Sequence, residues 1–305
     1  RGVNIIKIIS MTLGIFVGIL LFSCVAFQLS YYNFCPQSEQ LYVTYMDGPF
    51  TYGPFSAAMR ENFPKEVEDA TILRDMGTNV FYNGNVRLTE STIYADEHLF
   101  STLGLKLLIG KAEELTRPDV LFISRSLAEK MGGIEKVEGL TIIPDENPGL
   151  EVTIGGVFED LPQNASLRYD MLVAMSGMDP ESLNNWLGND RYAGYVRLSP
   201  GVTPDSLTPA IHDMTLRHHD QEALRKSGYE LTYTLRPLLD LHSKAGEVKN
   251  MVMMLGILAF ALLFTAIMNY ILITISSIVN RTKEVAVHKS YGASETNIHS
   301  MVLSE

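Results

Sequence analysis

MVMMLGILAFALLFTAIMNYILITISSIVN, residues 251–280, carries no charged side chain, and RTKEVAVHKSYGA, residues 281–293, follows it without a spacer. A bilayer hydrocarbon core about 30 Å thick needs roughly 20 apolar helical residues. The first stretch exceeds that and would run roughly 45 Å as one helix. It therefore tilts, or one end projects beyond the lipid as a stalk. Gly256, Asn269 and Ser276 are tolerable in lipid where they face another helix. The second stretch reads as a basic helix ending in a turn at Gly292, held at the membrane face.

Toward the N-terminus a second apolar run, residues 8–29, is also free of charge and is preceded by Arg1 and Lys7. A signal peptide is the alternative, and Cys24 after Leu21, Phe22 and Ser23 resembles a lipoprotein processing site. The run continues through Phe27 and Phe22 is bulky for such a site, so an uncleaved span is expected. Gly14 and Gly18 form a small-xxx-small pair of the kind that lets two helices approach closely. The basic flanks, Arg1 and Lys7 before the first span and Arg281, Lys283 and Lys289 after the second, place both ends in the cytoplasm. Residues 30–248 then lie outside, with 18 Lys and Arg against 32 Asp and Glu, a net charge of −14. That acidity excludes nucleic acid as a partner, because phosphates would be repelled.

The outer segment must stand on its own core. Its Cys35 has one counterpart in the chain, Cys24, which lies in the first span, so no disulfide is expected. About 220 residues are enough to bury a core. The pattern is mixed α and β. Strands are expected at residues 40–44, 67–73, 78–82, 86–88, 120–123, 152–158, 195–198 and 229–235. A hairpin-type turn sits at Asn83, Gly84 and Asn85, and a bulge is expected where Gly155 and Gly156 interrupt a strand. Helices are expected at residues 55–63, 96–103, 125–131 with Ser124 as N-cap, and 204–224. Catalytic and nucleotide motifs are missing: there is no phosphate-binding Gly-x-x-x-x-Gly-Lys-Ser/Thr loop, no Gly-x-Ser-x-Gly and no His-Glu-x-x-His. The richest polar cluster is Arg217, His218, His219 and Asp220, with His212 upstream. Adjacent histidines on a helix point about 100° apart and make a poor chelate, so a solvated polar face is expected, with no metal, cofactor or catalytic group.

The pattern Asn269, Arg281, Lys283, Glu284, Val285, Ala286, Val287, Lys289, Gly292, Ala293 and Ser294 resembles the signature that follows the second transmembrane helix of FtsX-like permeases, the membrane subunits of MacB/LolCE-type ABC transporters. That signature reads Arg-x-x-Glu-Ile-Gly-x-x-Arg/Lys-x-x-Gly-Ala. Ala286 stands where Gly is commoner, and His288 where Arg is frequent. The outer segment resembles the MacB-like periplasmic core domain in three blocks: residues 94–110, residues 120–139 and residues 152–170.

The resemblance implies a membrane protein with two transmembrane α-helices flanking a large α+β periplasmic domain and then a cytoplasmic coupling helix. The expected boundaries are 1–30, 31–248, 249–280 and 281–305. It implies an inner-membrane permease subunit. A separate cytoplasmic ABC ATPase would dock on Arg281, Lys283, Glu284, His288, Lys289, Gly292 and Ala293. Gly14, Gly18 and Asn269 would pack the spans. The implied partners are that ATPase, membrane lipid, a second permease copy or half, and a periplasmic or outer-membrane protein. The family has at least four spans, so the chain is expected to be part of a longer permease. The competing reading is a two-span sensor with a periplasmic ligand-binding domain, which would continue into a heptad-bearing signalling linker. A membrane-anchored periplasmic enzyme would need a convergent polar constellation.

Overall fold

β2 (Val67–Asn83) organises the outer domain because it is 17 residues long, against about 5–6 for an ordinary strand. It reads as two strands in the sequence because Met76 and Gly77 break the alternation. In the structure they form a bulge, with the register to β3 (Val86–Ala95) shifting between Asp75 and Thr78. Gly77 takes φ +68° there, so the strand bends and continues. One half of β2 serves one sheet and the other half serves a second structure.

The structure is a computed structural model describing residues 2–166, 168–188, 190–220, 222–223, 226, 228 and 231–291. The chain divides into two compact units, one made of the two terminal segments and one of Ser30–Ala245.

In the Ser30–Ala245 unit the first half of β2 pairs with β9 (Ala193–Leu198), which pairs with β1 (Leu41–Tyr45), which pairs with β10 (Thr234–Pro237), all antiparallel. α2 (Phe55–Asn62) and α7 (Pro204–Leu216) cover one face, where Phe55, Met59, Ile211 and Met214 join Val196 and Tyr233 in an apolar cluster. The other face receives α3 (Leu99–Leu103) and α8 (Leu238–Ser243) through Leu99, Phe100, Leu103 and Leu238. The sequence pattern carries α7 to residue 224, but the helix stops at Leu216, where Arg217, His218 and His219 turn away.

The second half of β2 closes a ring. β3 runs parallel to β8 (Met171–Ala174), β8 pairs antiparallel with β5 (Val120–Ser124), and β5 lies parallel to β7 (Val152–Phe158). β6 (Thr141–Pro144) then bridges β7 back to β2. Closure leaves no free edge inside the ring, and Phe81, Leu121, Ile123, Ile142, Ile154 and Met171 pack its interior. Gly155 is the extra residue in β7, with Leu121 opposite Ile154 and Phe122 opposite Gly156, which is the bulge its glycine pair signals. α4 (Arg125–Lys130) begins where the Ser124 hydroxyl accepts the Leu127 amide at 3.2 Å. α5 (Ile134–Val137) follows it, α6 (Pro180–Leu183) lies ahead of β9, and β4 (Leu107–Ile109) pairs with β7 at the sheet edge.

The other unit is a helix pair. α1 (Gly2–Leu29) and α9 (Gly246–Ser290) are each long and apolar enough to cross a membrane, over Met11–Leu29 and Gly246–Ser276. α9 runs 45 residues and continues from Asn280 into Arg281 without a break.

Candidate functional site

Two regions carry the features that bear on function: the helix pair, and a polar network on the outer domain. On the helix pair, α1 brings its glycines against α9. A Cβ on Gly14 would lie 2.5 Å from Ala266 Cβ, and one on Gly18 would lie 2.7 Å from the Leu263 side chain. Ala259 and Ala266, seven residues apart, are the buried positions among the described residues of α9. Their small size matches the glycines opposite and allows close packing. The span-packing residues expected from sequence omit both alanines, although their seven-residue spacing was the available signal. Asn269 is half-buried and has a partner. Gly256 faces open space.

Arg281, Glu284, His288 and Lys289 lie on the last turns of α9. Lys283 is exposed on the same stretch. Gly292 and Ala293 lie outside the described residues. The structure therefore places five of the seven expected docking positions on one continuous helix and describes the side chain of Lys283 alone among them.

On the outer domain the Asp96–Glu97–His98 stretch, part of one family-like block, meets β2. Asp69 Oδ1 lies 2.8 Å from His98 Nδ1, and Asp69 Oδ2 accepts the Ser101 hydroxyl. Asp96 Oδ1 accepts the Thr71 hydroxyl and, at 3.2 Å, the His98 amide. Arg60 of α2 donates to the Ala70 carbonyl beside them. Burial would raise the Asp69 carboxyl, but hydrogen bonds from His98, Ser101 and the Ala70 amide outweigh it and hold the group below the usual range. The Asp69 hydrogen bond lifts His98 above its ordinary value, against burial and the Arg60 charge. Burial pushes Asp96 up to about 6, although Thr71, Arg60 and His98 all favour its anion.

These shifts set a pH dependence. Asp96 is more basic folded than unfolded, so its share of stability is present below an unfolded value near 4 and is lost as pH rises to about 6. His98, also raised, loses its share as pH rises from about 6.5 through its folded value. Asp69 acts in the opposite direction and only below about pH 4. Each pH unit between the folded and unfolded values is worth about 1.36 kcal/mol. Asp96→Asn is therefore expected to stabilise the protein by roughly 2–3 kcal/mol at pH 7.5 and by little at pH 4. Thermal unfolding at the two pH values checks this. Equal gains at both would remove Asp96 titration as the cause.

The histidine cluster resolves into separate environments. His212 is half-buried in α7, and His218 is exposed and stacks on Trp186 with ring centroids 4.3 Å apart. His219 is buried, meets Trp186 edge-on, and has no hydrogen-bond partner at either ring nitrogen among the described residues. Burial lowers its pKa. The Trp186–His218 stack joins residues 32 apart, and no local pattern announces it. Among the described residues no group of three or more His, Cys, Asp or Glu is placed to hold a metal.

The model of the MacB-like periplasmic core domain matches residues 5–214. Among solved structures, a domain of a permease protein from Porphyromonas gingivalis matches at 38% identity and TM-score 0.61, over 67% of this chain and 92% of its own length. The periplasmic region of MacB from Actinobacillus actinomycetemcomitans matches at 15% identity and TM-score 0.45, over 69% of this chain and 94% of its own. The extracellular domain of the ABC-type transporter YknZ from Gram-positive bacteria matches at 11% and 0.43, over 64% and 99%. No curated protein matches the chain. With its mixed α/β domain flanked by two apolar helices, the chain belongs to the MacB-like periplasmic core domain family and is a MacB/FtsX-type ABC transporter permease chain.

Proposed function

We propose that this permease chain couples ATP hydrolysis by a separate cytoplasmic ATPase to movement of its periplasmic domain, for export or mechanotransmission. The observation that carries the reading is the continuity of α9. Its 45 residues contain no proline and no break, and span about 67 Å, more than twice the hydrocarbon core. A rod of that length extends beyond the lipid with its backbone hydrogen bonds intact. The close seat of Gly14 and Gly18 on α9 lets movement of one helix carry the other. Arg281, Lys283, Glu284, His288 and Lys289 on its last turns, with Gly292 and Ala293 next in sequence, are the residues on which the ATPase docks. The basic flanks put that end in the cytoplasm, and a second permease copy or half completes the transporter.

The test is co-purification in detergent with an ABC ATPase from the same genome. The triple variant Arg281→Glu, Lys283→Glu, Lys289→Glu is expected to reduce the ATPase recovered at least tenfold, with the melting temperature of the permease unchanged. Undiminished recovery would sink the docking assignment.

A further inference from the structure

A groove on the α2 side of the domain plays no part in the proposed coupling. It holds about 600 Å³ and opens between α2, the Asn184–Trp186 segment after α6, and the end of α7. It closes at one end because Gly53 lets the turn ahead of α2 lie on α6, where a Cβ would sit 2.5 Å from the Leu183 carbonyl oxygen.

Donors converge in this groove. Ser56 lines it and is 2% exposed. α2 opens at Pro54 with no side-chain cap, which leaves the first-turn amides of Ser56 and Ala57 open. Arg60 directs one guanidinium nitrogen to the Ala70 carbonyl and lies close enough to Asp96 to favour its anion, and Arg217 forms no salt bridge among the described residues. Trp186, braced by His218, supplies a flat wall. Two carboxylates also line the groove: Glu61, exposed on α2, and Asp96.

We propose that this groove binds a small ligand bearing an oxyanion — a carboxylate, sulfate or phosphate group — held by Arg60 and Arg217, the Ser56 hydroxyl and the open amides of α2. Charged donors and helix-start amides suit anion oxygens, and a few convergent polar groups beside an aromatic wall are the usual make-up of a ligand site. A cation is disfavoured because Arg60 stands beside Asp96 and raises the cost of a second positive charge.

Asp96 makes the binding pH-dependent. Its carboxyl is faced by Thr71 from β2, Arg60 from α2, and His98 and Glu97 from its own segment, and Arg217 and His218 after α7 line the same groove. Neutral, its O–H donates a hydrogen bond to the ligand oxygen. Ionised, it repels the ligand. Affinity therefore rises as pH falls through about 6.

Trp186 is the only tryptophan in the chain, so its emission reports the groove directly. The full chain in nanodiscs is titrated at constant ionic strength with sulfate, whose charge is fixed between pH 5.5 and 7.5, and separately with acetate. The expected result is a saturable emission change, at least fivefold tighter at pH 5.5. Arg217→Gln, at the rim of the groove, should weaken it at least tenfold, and Asp96→Asn should give the pH 5.5 affinity at pH 7.5. Saturation by sulfate alone assigns a tetrahedral oxyanion, and saturation by acetate assigns a carboxylate. No saturable change with either probe, or unaltered affinity in Arg217→Gln, overturns the site. A pH dependence retained in Asp96→Asn overturns the role of Asp96. None of these outcomes depends on ATPase docking.

Discussion

Replacing Gly110 with alanine is expected to destabilise the Ser30–Ala245 domain by about 3–5 kcal/mol. Gly110 sits just beyond β4 with φ +88°, and a Cβ there would run into the Gly155 carbonyl oxygen and stand 2.8 Å from Gly156 Cα. Two penalties combine. A left-handed conformation costs a non-glycine residue about 1–3 kcal/mol. Forcing atoms into a packed contact costs about 1–3 kcal/mol more. The neighbour in this case is backbone, which cannot rotate away. The β4–β7 register already shifts between Leu107 and Ile109 to bring the strands this close. Gly139→Ala is the control. Gly139 has φ +80° but nothing within 4 Å of a Cβ, so it should cost about 1–2 kcal/mol from backbone strain alone. Denaturant unfolding of both variants separates the two penalties, and equal losses would show that the contact contributes nothing. With domains stable by about 5–15 kcal/mol, the Gly110 variant loses a large share of the total.

Arg197→Met should be comparably damaging, at about 3–5 kcal/mol. Arg197 lies on β9 and is 6% exposed. Its Nε donates to the Thr102 carbonyl at 2.9 Å, and its Nη1 donates to the Pro36 carbonyl and Gln37 Oε1, both at 3.1 Å. Among the described residues no carboxylate pairs with it. The guanidinium is held by neutral oxygens and ties the segment after α1, the end of α3 and the central sheet together. Gly104 leaves room for that clamp, since a Cβ on it would stand 2.8 Å from the Pro36 ring and 3.4 Å from Arg197 Nη2. Methionine fills part of the volume but strands three buried acceptors, at about 1–3 kcal/mol each before relaxation. Lysine should recover little, because one ammonium cannot reproduce the fork. Calorimetry of the full chain is the measurement. A loss under about 1 kcal/mol for the methionine variant, below the cost of even one stranded acceptor, would mean that the clamp carries little weight.

Both positions lie in stretches whose roles local sequence cannot display. Gly110 closes one of the family-like blocks, yet its constraint comes from Gly155 and Gly156, far along the chain. Arg197 sits in a strand legible from its apolar neighbours, but nothing nearby marks it as the residue that binds Pro36 and Thr102. The same holds for His98. It lies in a family-like block, and its titration is set by Asp69 on another strand.

The sequence alone determined what depends on composition and on neighbours within a turn or two. An uncharged run of 30 residues has one low-energy home, a lipid-spanning helix, because unpaired backbone groups are too costly in hydrocarbon. Ser124 could be read as a cap and Gly155 as a bulge because those effects act over a few neighbouring residues. The basic stretch after residue 280 could be matched to a permease signature for the same reason. Only the tertiary structure decided that β2 is one bent strand rather than two, that it shares itself between an open sheet and a closed ring, and that Ser56, Arg60, Asp96, Trp186 and Arg217 line one groove. Each of those outcomes rests on pairings between residues far apart in the chain. Many registers satisfy the local pattern equally well, and burial of the whole core selects among them.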